Sequence, residues 1–256
     1  MPDIVFDQKG SGPALIFIHG FPMHRKVWQD FHQDFISSNT VYMPDLPGFG
    51  ESPLLKSGFT LGEVGAAMNK WAEDNKIHKA VVVGHSLGGY VALEMIRQHP
   101  DNYRGLVLFH STAYADSEEK KDSRTKVVQF IRDNGVTAFT SNFIQPLFYD
   151  ANHSAIADVR ALCVSAGEKA VVGYTQAMRD RPDNTSVLRQ YPGAVLLLGG
   201  AHDKGIPPET LERQAELNAS IQLEILEDAA HMGMFESREA CSRLIGQFTA
   251  EGSQRN

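Results

Sequence analysis

Ser86 stands in Gly84-His85-Ser86-Leu87-Gly88, a G-x-S-x-G pentapeptide, and no other segment of the chain is better placed for nucleophilic chemistry. The string alone is weak evidence, because glycine and serine are common. Its flanks make it specific. Ala80-Val81-Val82-Val83 enters as an apolar strand, and Gly89-Tyr90-Val91-Ala92-Leu93-Glu94-Met95 leaves as a helix. A strand, a tight turn and a helix in that order hold a serine hydroxyl above the carboxyl edge of a sheet. The flanking glycines remove side chains that would collide with the neighbouring strand and helix. The helix start also sets a positive dipole end near developing negative charge. A hydroxyl needs a base to attack a carbonyl near neutral pH. His231, in Ala229-Ala230-His231-Met232-Gly233-Met234-Phe235-Glu236, follows the last strand candidate and precedes the final helix. An imidazole there can take the serine proton and return it to a leaving group, so the rate is expected to fall in acid as that base protonates. A carboxylate must orient the base. Asp203, in Gly199-Gly200-Ala201-His202-Asp203, and Asp228 are the candidates. Asp203 follows a strand of its own, whereas Asp228 shares a loop with His231, and Asp203 is favoured.

The elements that must carry these loops alternate along the chain. Apolar runs at Ala14–Ile18, Thr40–Met43, Ala80–Val83, Gly105–Phe109, Ala194–Leu198 and Gln222–Leu226 read as strands, several continuous enough to be covered on both faces. Asp3–Phe6 is expected at a sheet edge, with a turn over Lys9–Pro13. Helices are expected at Val27–Ile36, Leu61–Asn75, Leu87–Gln98, Glu209–Leu217 and Arg238–Phe248. Thr60 and Glu63 have the spacing of a capping box. This alternation predicts an α/β fold with a mostly parallel central sheet flanked by helices. One stretch breaks it. Residues 113–182 carry helical patterns (Lys126–Asp133, Ala155–Ala166, Lys169–Arg179) without a convincing strand, and are far too long for a plain loop. They are expected to form a helical cap insert, leaving 1–112 and 183–256 as the core.

On these motifs the chain resembles the α/β-hydrolase superfamily over nearly its whole length apart from the insert. The resemblance implies that Ser86 is the nucleophile and that Asp203 is the triad acid. His19-Gly20-Phe21-Pro22 is similar to the family's oxyanion-loop motif, which implies an oxyanion hole made by the backbone N–H groups of Phe21 and Leu87. Asp45-Leu46-Pro47-Gly48-Phe49-Gly50-Glu51-Ser52 is similar to a loop that is mainly structural there. Some family members carry the acid one strand earlier; here that position reads Phe109-His110-Ser111-Thr112, without a carboxylate before Asp116. The implied activity is hydrolysis of a small carboxylic ester or lactone through an acyl-enzyme. A carbon–carbon bond hydrolase on the same triad and a small-ligand receptor with slow turnover are the alternatives. Relatives with an aspartate nucleophile are discounted because position 86 is serine.

Composition narrows the remaining classes. The net charge is −7, and no Lys/Arg cluster stands out, which argues against nucleic acid or an anionic membrane as partner. No apolar run approaches the roughly 20 residues of a membrane span. Two cysteines, Cys163 and Cys241, do not make a disulfide framework, and the first residues lack a signal-peptide pattern, so a cytoplasmic protein is expected. Ten histidines include no H-E-x-x-H or Cys/His ligand spacing, so neither metal nor other cofactor is expected, and the partner is a small-molecule substrate. His19 and His85 are expected to hydrogen-bond within their own loops and His202 to be a loop residue. Trp28 and Trp71 are expected in the core. Met23, Met232 and Phe235 are candidates for a pocket lining, and Phe139, Phe143, Phe148 and Tyr149 either face that pocket or pack within the insert.

Overall fold

The computed structural model describes residues 3–252. Seven strands form one sheet: β1 (Phe6–Gly10), β2 (Ala14–Ile18), β3 (Thr40–Pro44), β4 (Ala80–His85), β5 (Tyr103–Phe109), β6 (Ala194–Gly200) and β7 (Ile221–Leu226). Their spatial order is β1-β3-β2-β4-β5-β6-β7. Only β1 runs antiparallel to its neighbour; the other five pairings are parallel. Alternation along the inner strands explains their unbroken apolar sequence. Ile16, Val82, Leu106 and Leu197 point into one core, while Phe17, Val83, Val107 and Leu198 point into the other. A strand buried on both faces has no polar side to show.

Helices cover both faces. They are α1 (Leu61–Asp74), α2 (Leu87–Gln98), α3 (Glu118–Phe143), α4 (Ile156–Val164), α5 (Glu168–Arg179), α6 (Thr185–Gln190), α7 (Pro208–Ala215), α8 (Gly233–Glu236) and α9 (Arg238–Gly252). The capping box at α1 is present: Glu63 N donates to Thr60 Oγ1 at 3.2 Å, and Thr60 N donates to Glu63 Oε2 at 2.9 Å. Trp28 and Trp71 are core residues. No helix among the described residues is long and apolar enough to cross a membrane.

Three local expectations are corrected. The edge strand begins at Phe6, where Asp3–Phe6 was expected to end. It continues through Lys9 to Gly10, pairing Phe6 with Pro44 and Gly10 with Thr40. Backbone pairing at a sheet edge does not require apolar side chains, so Lys9 and Gly10 of the expected Lys9–Pro13 turn extend the strand and the chain bends only at Ser11–Pro13. The segment expected as one helix over Val27–Ile36 is two 3₁₀ helices, Arg25–Trp28 and Phe31–Asp34. Trp28 and Phe31 are three residues apart and both pack on Phe17, at 5.1 and 5.8 Å between ring centroids, which the three-residue turn permits. Between β5 and β6, the helix expected at Lys126–Asp133 is the middle of the 26-residue α3. That helix is broken at Gly135, where φ is +82°.

Candidate active site

The turn between β4 and α2 puts Ser86 at φ +50°, ψ −114°, a conformation that costs a non-glycine residue roughly 1–3 kcal/mol. Two glycines make the turn possible. A Cβ on Gly84 would lie 2.5 Å from the backbone of Gly88, and a Cβ on Gly88 would lie 2.3 Å from the Ile18 carbonyl oxygen. The strained turn is pinned from the adjacent strand: Ser86 N donates to the Phe109 carbonyl at 3.0 Å, and Ser111 Oγ donates to the Ser86 carbonyl at 2.8 Å.

His231 and Asp203 meet although they lie on loops after different strands. His231 Nδ1 donates to Asp203 Oδ2 at 2.7 Å. The other carboxylate oxygen, Oδ1, accepts from Gly205 N at 2.8 Å and Ile206 N at 3.0 Å. Burial by itself would raise the Asp203 pKa. The neighbouring His231 and His110 rings outweigh it and hold the carboxyl well below the usual carboxylate range. The rival carboxylate, Asp228, is exposed on the turn after β7. The His231 backbone is held from three sides. Its N–H donates to Leu147 at 2.9 Å, its carbonyl accepts from His85 Nε2 at 2.9 Å, and Glu236 accepts from the flanking Ala230 and Met232 amides at 3.0 and 3.2 Å.

Sequence reasoning missed two members of this arrangement. His110, at the end of β5, is fully buried and places Nδ1 3.3 Å from Asp203 Oδ2. It lies in the tetrapeptide Phe109–Thr112, where no spacing in the sequence ties a histidine to Asp203. Glu236 lies in the histidine loop itself, but nothing in its spacing marks it as a brace. The expectation that His19 and His85 bond within their own loops also needs correction. His19 bonds locally through Nδ1 to the Gly20 carbonyl, yet its Nε2 accepts from Leu46 N at 2.9 Å, in the loop after β3. His85 reaches across to His231. Burial pushes His19 down to about 4 and His85 well below the ordinary histidine value, so both are neutral at neutral pH. His202 stacks on Tyr149 with ring centroids 3.7 Å apart and is a loop residue. The Asp45–Ser52 loop is structural: Asp45 is buried, pairs with Arg25, and accepts from Arg25 N at 2.8 Å and Glu51 N at 2.9 Å.

Ser86 and His231 open onto one cavity of about 340 Å³. Phe21, Met23, Val127, Phe139, Phe143 and Leu147 make most of its wall apolar, with Lys120 and Arg124 of α3 adding cationic heads. Of the pocket candidates, Met23, Phe139 and Phe143 therefore face the cavity. Phe148 packs on His153 and Phe235, and Met232 lies in the core below the sheet edge. Among the described residues, neither Phe21 N–H nor Leu87 N–H has a protein acceptor, which leaves both free for a ligand oxygen. His110, Asp203 and His231 are close enough together to be considered as metal ligands. Two ligands at about 2.1 Å from a tetrahedral ion sit more than about 3 Å apart. The 2.7 Å contact between His231 and Asp203 is that of a hydrogen bond instead. Cys163 and Cys241 are free and buried and neither lines the cavity; Cys241 Sγ donates to the Gly233 carbonyl of the histidine loop at 3.2 Å.

A strained serine and a carboxylate-held histidine thus meet at one cavity at the carboxyl edge of this sheet, where open α/β sheets bind their ligands. The chain belongs to the alpha/beta hydrolase family, whose model matches residues 15–244. It is similar to a pimeloyl-[acyl-carrier protein] methyl ester esterase from Methylococcus capsulatus, with 27% identity over 96% of this chain and 98% of that protein. Among solved structures, a thermophilic esterase from Thermogutta terrifontis, with malate bound, superposes at a TM-score of 0.92 with 28% identity, covering 98% of this chain and 94% of that one. An enol-lactonase from Burkholderia xenovorans shares the fold at a TM-score of 0.89 and 18% identity, over 97% of both chains.

Proposed function

We propose that this protein hydrolyses a small carboxylic ester or lactone through an acyl-enzyme on Ser86, with His231 as general base and Asp203 orienting it. The observation that carries the reading is the 2.7 Å contact between His231 Nδ1 and Asp203 Oδ2, beside a cavity that Ser86 and His231 both line. That contact keeps the proton on Nδ1, so Nε2 is free to accept. Ser86 Oγ attacks the acyl carbon and its proton passes to His231 Nε2. The carbonyl oxygen becomes an oxyanion against the amides of Phe21 and Leu87; one such donor is worth on the order of 100- to 1000-fold in rate. Collapse of the tetrahedral species breaks the ester C–O bond, and the leaving oxygen takes the proton from Nε2. Water then repeats the sequence, giving its proton to His231 and releasing the acid from Ser86. No cofactor enters these steps.

Residues 113–182 act as the cap that sets specificity, since α3 and α5 supply much of the cavity wall. An apolar lining of this size suits a short to medium acyl chain. Lys120 suits a chain bearing a negatively charged group away from the ester, whereas the Arg124 charge is already met by the buried Asp116; the relative named as a pimeloyl-[acyl-carrier protein] methyl ester esterase is consistent with that chain length.

The test is turnover of short p-nitrophenyl esters by wild type and Ser86→Ala. Repeated turnover by wild type with near-complete loss in the variant is the expected outcome. Equal activity in both would remove Ser86 as nucleophile. Thermal stabilisation by a ligand without turnover would mark a binding protein instead.

A further inference from the structure

Tyr90 stands four residues after Ser86 on α2, one helical turn and about 6 Å further along the axis. Helical side chains lean back toward the N-terminus, so its ring returns toward the nucleophile. It lines the cavity that Ser86 and His231 share. The residue is only 5% exposed, yet among the described residues its hydroxyl has no hydrogen-bond partner. Nearly all buried polar groups in folded proteins have partners, so a hydroxyl that meets only the cavity points to a contact with what binds there. The ring is held from behind. The Arg181 guanidinium lies 4.1 Å over its centroid, itself fixed by bonds from Nη1 to the Met178 carbonyl at 2.8 Å and from Nη2 to the Tyr114 carbonyl at 3.0 Å. A hydroxyl on a ring already immobilised loses little entropy when it binds.

The cap helix α3 supplies a charge to the same cavity. Lys120, Ser123, Arg124 and Val127 fall at i, i+3, i+4 and i+7, one face of a helix, and all four line the cavity. Arg124 is already bonded through Nε to the buried Asp116. Lys120 has no carboxylate partner among the described residues. Its Nζ donates to the Gly205 carbonyl at 3.2 Å, which leaves its other donors to the cavity. A cation in the first turn works against the helix dipole, so the helix itself does not require it.

We propose that Tyr90 is a specificity-determining residue for the hydrolysis described above, its hydroxyl donating to a carboxylate whose charge Lys120 balances. The preferred substrate is then an ester that carries a free carboxylate besides the scissile bond. This rests on the reading of Ser86 as the nucleophile. A site built to bond a polar group rejects the analogue that lacks it, because its own donors are then left unmatched.

Two series of matched esters place the carboxylate on either half of the substrate. Monomethyl esters of the linear dicarboxylic acids from succinic to suberic are compared with methyl esters of monocarboxylic acids of equal chain length. O-acetyl hydroxy acids are compared with acetyl esters of the corresponding alcohols. Wild type should prefer the charged member of one series in kcat/KM, and the series it prefers tells which half carries the carboxylate. Tyr90→Phe should reduce that preference about tenfold, the size of one hydrogen bond to a charged group, and Lys120→Met should reduce it as well. Because the hydroxyl bonds nothing in the fold, Tyr90→Phe should melt at the wild-type temperature. No preference in wild type for either series, a preference unchanged in Tyr90→Phe, or a loss equal on charged and neutral esters would overturn the proposal. So would a lower melting temperature in Tyr90→Phe, which would mark the hydroxyl as a bond within the fold. If Ser86→Ala were as active as wild type, the hydrolase reading itself would have failed; a dead Ser86→Ala with an unaltered preference in Tyr90→Phe removes Tyr90 alone.

Discussion

Replacing Asp203 by asparagine changes one oxygen to nitrogen and should stop turnover through the tautomer of His231. An asparagine has one acceptor atom where Asp203 uses two. Its oxygen either stays on Gly205 N and Ile206 N, or turns to His231 Nδ1. Turning it would aim the NH₂ group at two backbone donors 2.8 and 3.0 Å away and leave both without acceptors, at about 1–3 kcal/mol each. Keeping it in place sets the NH₂ against two ring nitrogens, His231 Nδ1 at 2.7 Å and His110 Nδ1 at 3.3 Å in the wild type, and leaves no backbone donor without its acceptor. The second arrangement costs less and wins. His231 must then accept at Nδ1 and carry its proton on Nε2, where it can no longer take a proton from Ser86. In serine proteases the same change lowers kcat by about 10⁴, or about 5 kcal/mol of transition-state stabilisation. A fall of that order is expected here, with KM unaltered because Asp203 does not line the cavity. Steady-state kinetics on a p-nitrophenyl ester measures it, with circular dichroism to show that the variant is folded. A folded Asp203→Asn protein within tenfold of wild-type kcat would refute the reasoning, and Asp228 would need to be tested next.

Acid should destabilise the fold before most carboxylates titrate. His19 is lowered by burial from 6.5 to about 4, so the unfolded chain takes up its proton first as pH falls. The contribution is fully present above pH 6.5 and is lost between 6.5 and about 4, amounting to about 3 kcal/mol. Urea melts at pH 7 and pH 4.5 measure it; equal midpoints would contradict it. Glu236→Ala should loosen the histidine loop by removing the acceptor of the Ala230 and Met232 amides, costing about 2 kcal/mol and lowering kcat; faster amide exchange at those two residues is the direct readout. Gly88→Ala should prevent stable folding, since its Cβ would strike the Ile18 carbonyl at 2.3 Å. Gly246→Ala, with nothing within 4 Å, should gain about 1 kcal/mol in α9, and thermal melts of both separate steric from helical effects.

What the sequence by itself determined is the part written in local patterns. The inner strands are continuous apolar runs because both of their faces are covered, and a run of that kind is visible in one dimension. Ser86 was legible because its strand, glycines and helix are consecutive. Chain order then pointed to Asp203 and His231, and their loops bring the two within a hydrogen bond. Short polar edges and three-residue helical turns were misread, since β1 is held by backbone pairing and the Arg25–Asp34 segment by aromatic packing on Phe17, neither of which leaves a periodic signature. Only the tertiary structure decided the surroundings of the histidine. His85 lies 146 residues from His231, and His110 lies 123 residues from Gly233. Such contacts depend on the order β4-β5-β6-β7 and on the parallel register that sets four strand ends side by side. A hydrogen bond across that distance is a property of strand neighbours, and the residue types alone do not state which strands those will be.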